Sequence, residues 1–309
     1  MSVIEVSNLK KYFGKTRAVD GLSFEVEKGE IFGFLGPNGA GKTTTIRCLL
    51  DFLRPSAGEI KMFGLDSRKH GPEIKKKIGY LSGDVRLYDG WTGEEHLRFL
   101  ESLRGKKSIG DELAAKLALN TKTKFKALSS GNKQKLGLVL ALSFEPELLI
   151  MDEPTLGLDP LLQNQIYELL EESQKRGATI FMSSHNLAEV DRLCHRVGII
   201  KEGRLIAIES IQVLKEKRMH VAKVIFSGPF NSQDFLLPNV EIRSQLPDGL
   251  ILGITGDINP LIQRLAAYPL RELEISYASL EEIFLEFYGG SSQPSQNQNN
   301  NLQEIPKLE

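Results

Sequence analysis

Cysteine is scarce: Cys48 and Cys194 are the only two in 309 residues, and they lie far apart in apolar surroundings. That scarcity excludes a disulfide-rich secreted scaffold and predicts two buried thiols in a reducing cytosol. No charge of one sign dominates either. With 39 basic against 40 acidic residues, no global field draws the chain to nucleic acid or to an anionic membrane. Long apolar runs are missing too. The best candidate, residues 136–144, is followed at once by Glu145 and Glu147, far short of a membrane span of roughly 20 residues. Met1-Ser2-Val3-Ile4 lacks a basic-then-apolar leader pattern, so no secretory signal is expected. Work at a membrane therefore requires docking onto another chain.

What is present is more telling. Gly36-Pro37-Asn38-Gly39-Ala40-Gly41-Lys42-Thr43 sits between a short apolar run, Ile31–Leu35, and a helical pattern over 44–52. Glycines let the backbone turn tightly, so that successive N–H groups, including that of Thr44, point inward at an anion. The helix N-terminus adds partial positive charge, Lys42 adds a full one, and the Thr43 hydroxyl is placed for Mg²⁺. This spacing predicts a phosphate-binding loop of a nucleoside triphosphatase.

Strand-like and helix-like segments alternate over residues 1–214, as in an α/β layer fold. Residues 3–6 and 22–26 alternate apolar and polar, which suits half-buried antiparallel strands. Residues 148–151, 179–182 and 197–200 are largely apolar, as in central parallel strands. A helical insert, about 84–135, interrupts the sheet pattern; Thr92-Gly93-Glu94-Glu95 reads as a capping box, and a second short helix is expected over 113–119. A small α+β domain is expected over 219–288. Its strands fall at 221–226, 240–243, 250–254 and 273–276, with one helix from the cap Asn259 through Pro260 to Tyr268. A last helix, opened by Ser279-Leu280-Glu281-Glu282, carries Ile283, Phe284 and Phe287. Residues 289–309, rich in Asn and Gln, are expected to be disordered.

Asp152-Glu153-Pro154 follows the strand at 148–151. A carboxylate there, beside a phosphate loop, suits Mg²⁺ held usually through a water, and Glu153 can deprotonate an attacking water. His185 after the 179–182 strand can hydrogen-bond a γ-phosphate. Ser129 and Gly131 at a helix start can grip a phosphate, although the residues alone favour an ordinary helix cap at Ser129. Phe13 and Tyr12 both offer a flat face for adenine.

These residues in this order resemble the nucleotide-binding subunit of an ATP-binding cassette (ABC) transporter. Leu128-Ser129-Ser130-Gly131-Asn132 resembles the family's signature motif, Gly157-Leu158-Asp159-Pro160 its interface loop, His185 its switch histidine and Phe13 its adenine-stacking aromatic. The C-terminal segment Ser279-Leu280-Glu281-Glu282-Ile283-Phe284 resembles exporters of the ABC-2 type. The resemblance implies a P-loop NTPase core with an antiparallel β subdomain and a helical insert. It implies binding of ATP and Mg²⁺, with Ser129, Gly131 and Asp159 acting across a nucleotide-closed homodimer, or a pair with a related ATPase subunit. It also implies an integral membrane permease as partner, with the chain peripheral at the cytoplasmic face. Three features depart from the pattern. Gly83 stands where a glutamine or glutamate is usual, so Asp84 or a water takes that place; Ser130 and Asn132 replace a glycine and a glutamine; and the helical insert is short between Leu103 and Leu128. Two other functions fit the residues: a soluble ABC-type switch in repair or translation, and a nucleotide-binding subunit with weak hydrolysis. Against the switch stand a single phosphate loop and no sustained heptad run.

Overall fold

The alternating residues near the start form two twelve-residue strands, Ser2–Phe13 (β1) and Thr16–Glu27 (β2). They pair antiparallel from Ser2 with Glu27 to Phe13 with Thr16. Both strands outrun the expected segments, because pairing on each other and on a third strand fixes residues whose own pattern is polar. The computed structural model describes residues 1–216 and 220–277. The chain divides between Lys217 and Arg218 into two units.

In the first unit, Ile31–Leu35 (β3) is buried at every residue and runs into the helix Lys42–Leu49 (α1). That helix stops three residues before the expected end. Asp51 adopts a left-handed φ of 56°, and Phe52 N–H reaches back to Arg47 O at 2.8 Å, which closes the last turn. Ala57–Met62 (β4) and Leu65–Asp66 (β5) complete a four-stranded antiparallel sheet in the order β2-β1-β4-β5. Gly71–Lys75 (α2) leads to Ile78–Leu81 (β6).

The helical insert holds Gly93–Arg104 (α3), Gly110–Lys116 (α4), a 3₁₀ turn at Phe125–Ala127 and Ser130–Leu142 (α5). The predicted capping box is present: Thr92 Oγ1 accepts from Glu95 N–H, and the Glu95 carboxylate accepts from Thr92 N–H. The second helix starts three residues earlier than expected and ends at Lys116, where Ala118 turns left-handed at φ 49°.

Leu148–Asp152 (β7), Pro160–Lys175 (α6), Thr179–Ser184 (β8), Leu187–Leu193 (α7), Arg196–Lys201 (β9), Arg204–Ser210 (β10) and Ile211–Glu216 (α8) follow. The second sheet has the order β10-β9-β3-β8-β7-β6. Its β9-β3-β8-β7-β6 part is parallel, and β10 closes one edge antiparallel. Phe24 of β2 packs on Phe32, Phe34 and Phe181 at 5.6–6.0 Å between centroids, which joins the two sheets through one core. Each such side chain contributes on the order of 1.5–3 kcal/mol by burial. Because the central strands are parallel, their C-terminal ends share one rim, the usual place for a ligand site. Leu35 there lies beside Ser184, Asp152 beside Ser183, and Leu81 beside Met151.

The second unit contains His220–Phe226 (β11), a 3₁₀ turn at Ser232–Phe235, Val240–Leu246 (β12), Gly249–Ile254 (β13), Asn259–Leu265 (α9) and Leu270–Tyr277 (β14). The strands pair antiparallel in the order β12-β13-β11-β14. Its core gathers Phe226, Phe235, Leu252 and Leu261. Asn259 is the first helical residue rather than the cap, with Ile258 before it; Asp257 Oδ1 accepts from Asn259 N–H at 3.0 Å, and the helix ends at Leu265. The capping box at Ser279, its helix and the 289–309 tail lie outside the described residues.

Among the described residues no helix is long and apolar enough to cross a membrane. Cys48 and Cys194 are both free and buried, and burial pushes the Cys48 thiol up to about 11.

Candidate active site

The turn after β3 starts with Gly36, whose N–H donates to Ser184 O on the neighbouring strand at 3.2 Å. Pro37, Asn38 and Gly39 form an exposed crest, and Ala40 is buried beneath it. Gly41 takes φ 108°, and a Cβ there would stand 2.4 Å from Ala18 O, so only glycine closes this turn. Helix α1 then begins with no side-chain cap and no acidic residue in its first turn. By contrast α3, α5, α6 and α7 are capped by Thr92, Ser129, Asp159 and Asn186. The start of α1, with Thr43 and Thr44 half-buried in its first turn, is thus suited to an anion.

Lys42 turns back over the loop at 5 % exposure. Its ammonium donates to Gly36 O at 2.6 Å and Pro37 O at 3.2 Å. It also lies 3.1 Å from Glu153 Oε1, at ion-pair distance but without hydrogen-bond alignment. Asp152 is the last residue of β7 and is 5 % exposed. Its Oδ1 accepts from Ser183 Oγ at 2.6 Å. Glu153 follows in a left-handed conformation, φ 51°. Its N–H is shared between Ser183 Oγ at 3.0 Å and Ser183 O at 3.2 Å. The turn aims its carboxyl group between Lys42 and His185, whose Nδ1 lies 2.7 Å from Oε2. With Glu153 ionised, Nδ1 carries the proton, because a carboxylate oxygen only accepts. Lys42, at the start of α1, and Glu153 and His185, just after β7 and β8, thus form one charged cluster, to which Ser183 ties Asp152.

Other expected residues stand apart from it. Ser129 caps α5, accepting from Asn132 N–H at 3.3 Å. Asp159 caps α6, accepting from Leu162 N–H at 3.0 Å. A Cβ on Gly131 would sit 3.5 Å from Leu162, so α5 begins beside the start of α6. Among the described residues no hydrogen bond or ion pair joins Ser129, Gly131 or Asp159 to Lys42 or Glu153.

The two aromatic candidates separate clearly. Tyr12 is tied down, its hydroxyl donating to Asp20 Oδ1 at 2.6 Å. That bond and the Arg204 guanidinium hold the Asp20 carboxyl down at about 2. Phe13 is 47 % exposed and leaves its ring available, with the Lys11 ammonium 5.0 Å from its centre.

Gly83 also finds a physical reason. A Cβ there would lie 2.8 Å from Asp152 O, so a side chain at this point would displace the β7 end. Asp84 is paired with Arg86 at 2.7 Å.

Three further residues complete the picture, of which the sequence reading passed over Ser183 and Glu189. Ser183 bridges Asp152 and Glu153. Gln134 ties α5 to the turn after β7 by donating to Pro154 O at 2.9 Å. Glu189 is buried, accepting from Thr155 Oγ1 at 2.7 Å and from Ser184 Oγ, next to His185 in the chain, at 2.6 Å. The one available signal was the pair of hydroxyls, Ser183-Ser184, ending an otherwise apolar strand.

Among the described residues no group of three or more His, Cys, Asp or Glu could hold a metal by itself. The Thr43 hydroxyl and Asp152 carboxylate offer two oxygens, as Mg²⁺ usually takes from a protein when phosphates and waters supply the rest.

A phosphate loop at the C-terminal rim of a parallel sheet, with adjoining carboxylates, defines a P-loop nucleoside triphosphatase. The sequence pattern of the ABC transporter family matches residues 19–156. A bacitracin transport ATP-binding protein of Bacillus licheniformis is 36 % identical over 94 % of this chain and 99 % of its own length. A Nod factor export ATP-binding protein of Paraburkholderia xenovorans is 34 % identical over 94 % and 99 %. A solved ATP-binding subunit of an ABC transporter superposes with a TM-score of 0.64 at 32 % identity, covering 70 % of this chain and 92 % of that one. The chain belongs to the ABC transporter family, and it is an ATPase subunit of the kind that powers a membrane transporter.

Proposed function

We propose that the chain hydrolyses Mg-ATP in a dimer closed over two nucleotides, and that this drives a separate integral membrane permease for export. The observation that carries the proposal is Glu153 held between Lys42 at 3.1 Å and His185 at 2.7 Å. A base so placed, beside the loop that binds triphosphate, is oriented by groups that themselves face phosphate.

In this reading the loop from Gly36 to Thr44 surrounds the phosphates, the N–H groups of Gly39 and of Gly41 to Thr44 donate to them, and Lys42 neutralises the outer ones. Phe13 stacks on adenine. Thr43 and Asp152 would hold Mg²⁺, which supplies charge neutralisation on the phosphate oxygens. Glu153 takes a proton from water as the oxygen attacks the γ-phosphorus, and ADP leaves with the former bridging oxygen. His185 keeps Glu153 aimed and contacts the γ-phosphate through Nε2. Ser129 and Asp159, exposed, and Gly131, half-buried, on the same unit act on the nucleotide of the second copy, whether identical or a related ATPase subunit. Assembly then depends on nucleotide by mass action.

A cavity of about 440 Å³ in the helical insert, lined by Leu87, Tyr88, His96, Phe99, Leu100 and Leu140, supports docking of the permease there. The chain would thereby be peripheral at the cytoplasmic face. Export is supported by relatives named for bacitracin transport and Nod factor export. The small second domain, proposed over 219–288, and the tail carry no assigned role. Balanced charge, net −1, speaks against a nucleic-acid partner and for the transport reading.

Lys42→Ala removes charge-assisted contacts worth about 1.5–3 kcal/mol each and should abolish turnover. Glu153→Gln should bind ATP normally yet hydrolyse it at least about 100-fold more slowly. Steady-state phosphate release checks both, and wild-type rates in either variant contradict the reading.

A further inference from the structure

Ser183 is fully buried at the end of β8, where Ile180, Phe181 and Met182 before it are apolar. A buried hydroxyl in such a strand costs free energy unless its donor and acceptor are both matched. Here both are, and both partners belong to the site. The proton goes to Asp152 Oδ1 at 2.6 Å, and the lone pair receives Glu153 N–H at 3.0 Å. The adjacent Ser184 points to the other side of the strand, to Glu189 at 2.6 Å, as alternation requires.

We propose that Ser183 is a positioning residue that locks the metal-facing carboxylate and the general base into one fixed relation. The inference rests on the hydrolytic reading above and extends it to a residue that touches neither nucleotide nor water. Two features make the lock necessary. Asp152 has rotational freedom about its terminal torsion, and the bond from Ser183 fixes which oxygen turns away from the strand. Glu153 occupies a left-handed backbone conformation at φ 51°, which persists only when its surroundings enforce it. The shared bond to Ser183 Oγ and O is that enforcement. A single hydroxyl thus touches both the carboxylate that would hold the metal and the backbone N–H of the residue that accepts the proton. Small errors in the separation of those two side chains are costly to rate, since about 1 Å of misplacement can lose about 100-fold.

The test uses the full-length chain with Ser183→Ala, Ser183→Thr and a control, Ser143→Ala. Ser143 is also buried, but its hydroxyl donates to Val139 O of its own helix at 2.6 Å. Ser183→Ala should lower kcat by about tenfold or more while KM for ATP stays within about threefold. ATP binding by calorimetry in EDTA should be unchanged, and the tightening that Mg²⁺ confers should fall by about threefold or more. Ser183→Thr, which keeps the hydroxyl, should recover at least about half the rate, and Ser143→Ala should alter melting temperature but not kcat. A Ser183→Ala rate within about twofold of wild type overturns the proposal. So does a loss of binding equal with and without Mg²⁺, or a Thr variant that folds yet stays as slow as the Ala variant. Failure of the hydrolytic reading itself would show first in the wild-type chain, as absence of ATP turnover and binding, and the Ser183 proposal would fall with it.

Discussion

At the scale of single residues, Glu189 shows how the interior near the site trades stability for order. It is 2 % exposed, and burial raises its carboxyl above the usual range, with bonds from Ser184 and Thr155 pulling only partly the other way. A folded-state value above the unfolded one, about 4.3, means the native chain holds the extra proton over that interval. Its contribution to stability is therefore complete below the unfolded value and is lost as pH rises through the raised folded value. Glu189→Gln removes the titration. Thermal melts of the variant should lose less stability than wild type as pH rises above the unfolded carboxylate value, and parallel curves would contradict this. The cluster of Lys42, Asp152, Glu153 and His185 was legible from sequence because each residue has a recognisable local setting. Ser183 and Glu189 were not, since their partners lie 31 and 34 residues away in Asp152 and Thr155.

At the scale of elements, short-range chemistry was the readable part. The box at Thr92 is made by neighbours in sequence, and it stands where the residues put it. Boundaries set by distant partners were not readable. β1 runs on through Lys10 and Lys11 to Phe13 because β2 and β4 lie alongside, pairing Lys10 with Asp20 and Ala57. β8 extends to Ser184 because Leu35 and Asp152 need neighbours. α1 ends early because Asp51 takes the place of a terminating glycine. The Thr92 box has a second task. Thr92 O bonds His96 Nδ1 at 2.7 Å, and His96 Nε2 accepts from Tyr88 N–H at 3.1 Å, which shapes the groove. Thr92→Ala should cost about 1 kcal/mol, seen as a melting temperature lower by about 2–4 °C. An unchanged melt would mean the helix start is held by packing alone.

At the scale of the whole molecule, strand order does the decisive work. With β3 placed between β8 and β9, and β7 next to β8, the phosphate loop, the histidine and the carboxylates share one rim. No local pattern dictates that order; it follows from burying the apolar strands together. The proposed dimer is a property of this scale too, because exposed Ser129 and Asp159 and half-buried Gly131 make no hydrogen bond or ion pair to Lys42 or Glu153 among the described residues. The most direct measurement is sedimentation of Glu153→Gln with saturating Mg-ATP. The account predicts a species of twice 34.5 kDa that returns to the single-chain mass when ATP is replaced by ADP. A variant that binds ATP yet stays at the single-chain mass throughout would contradict it.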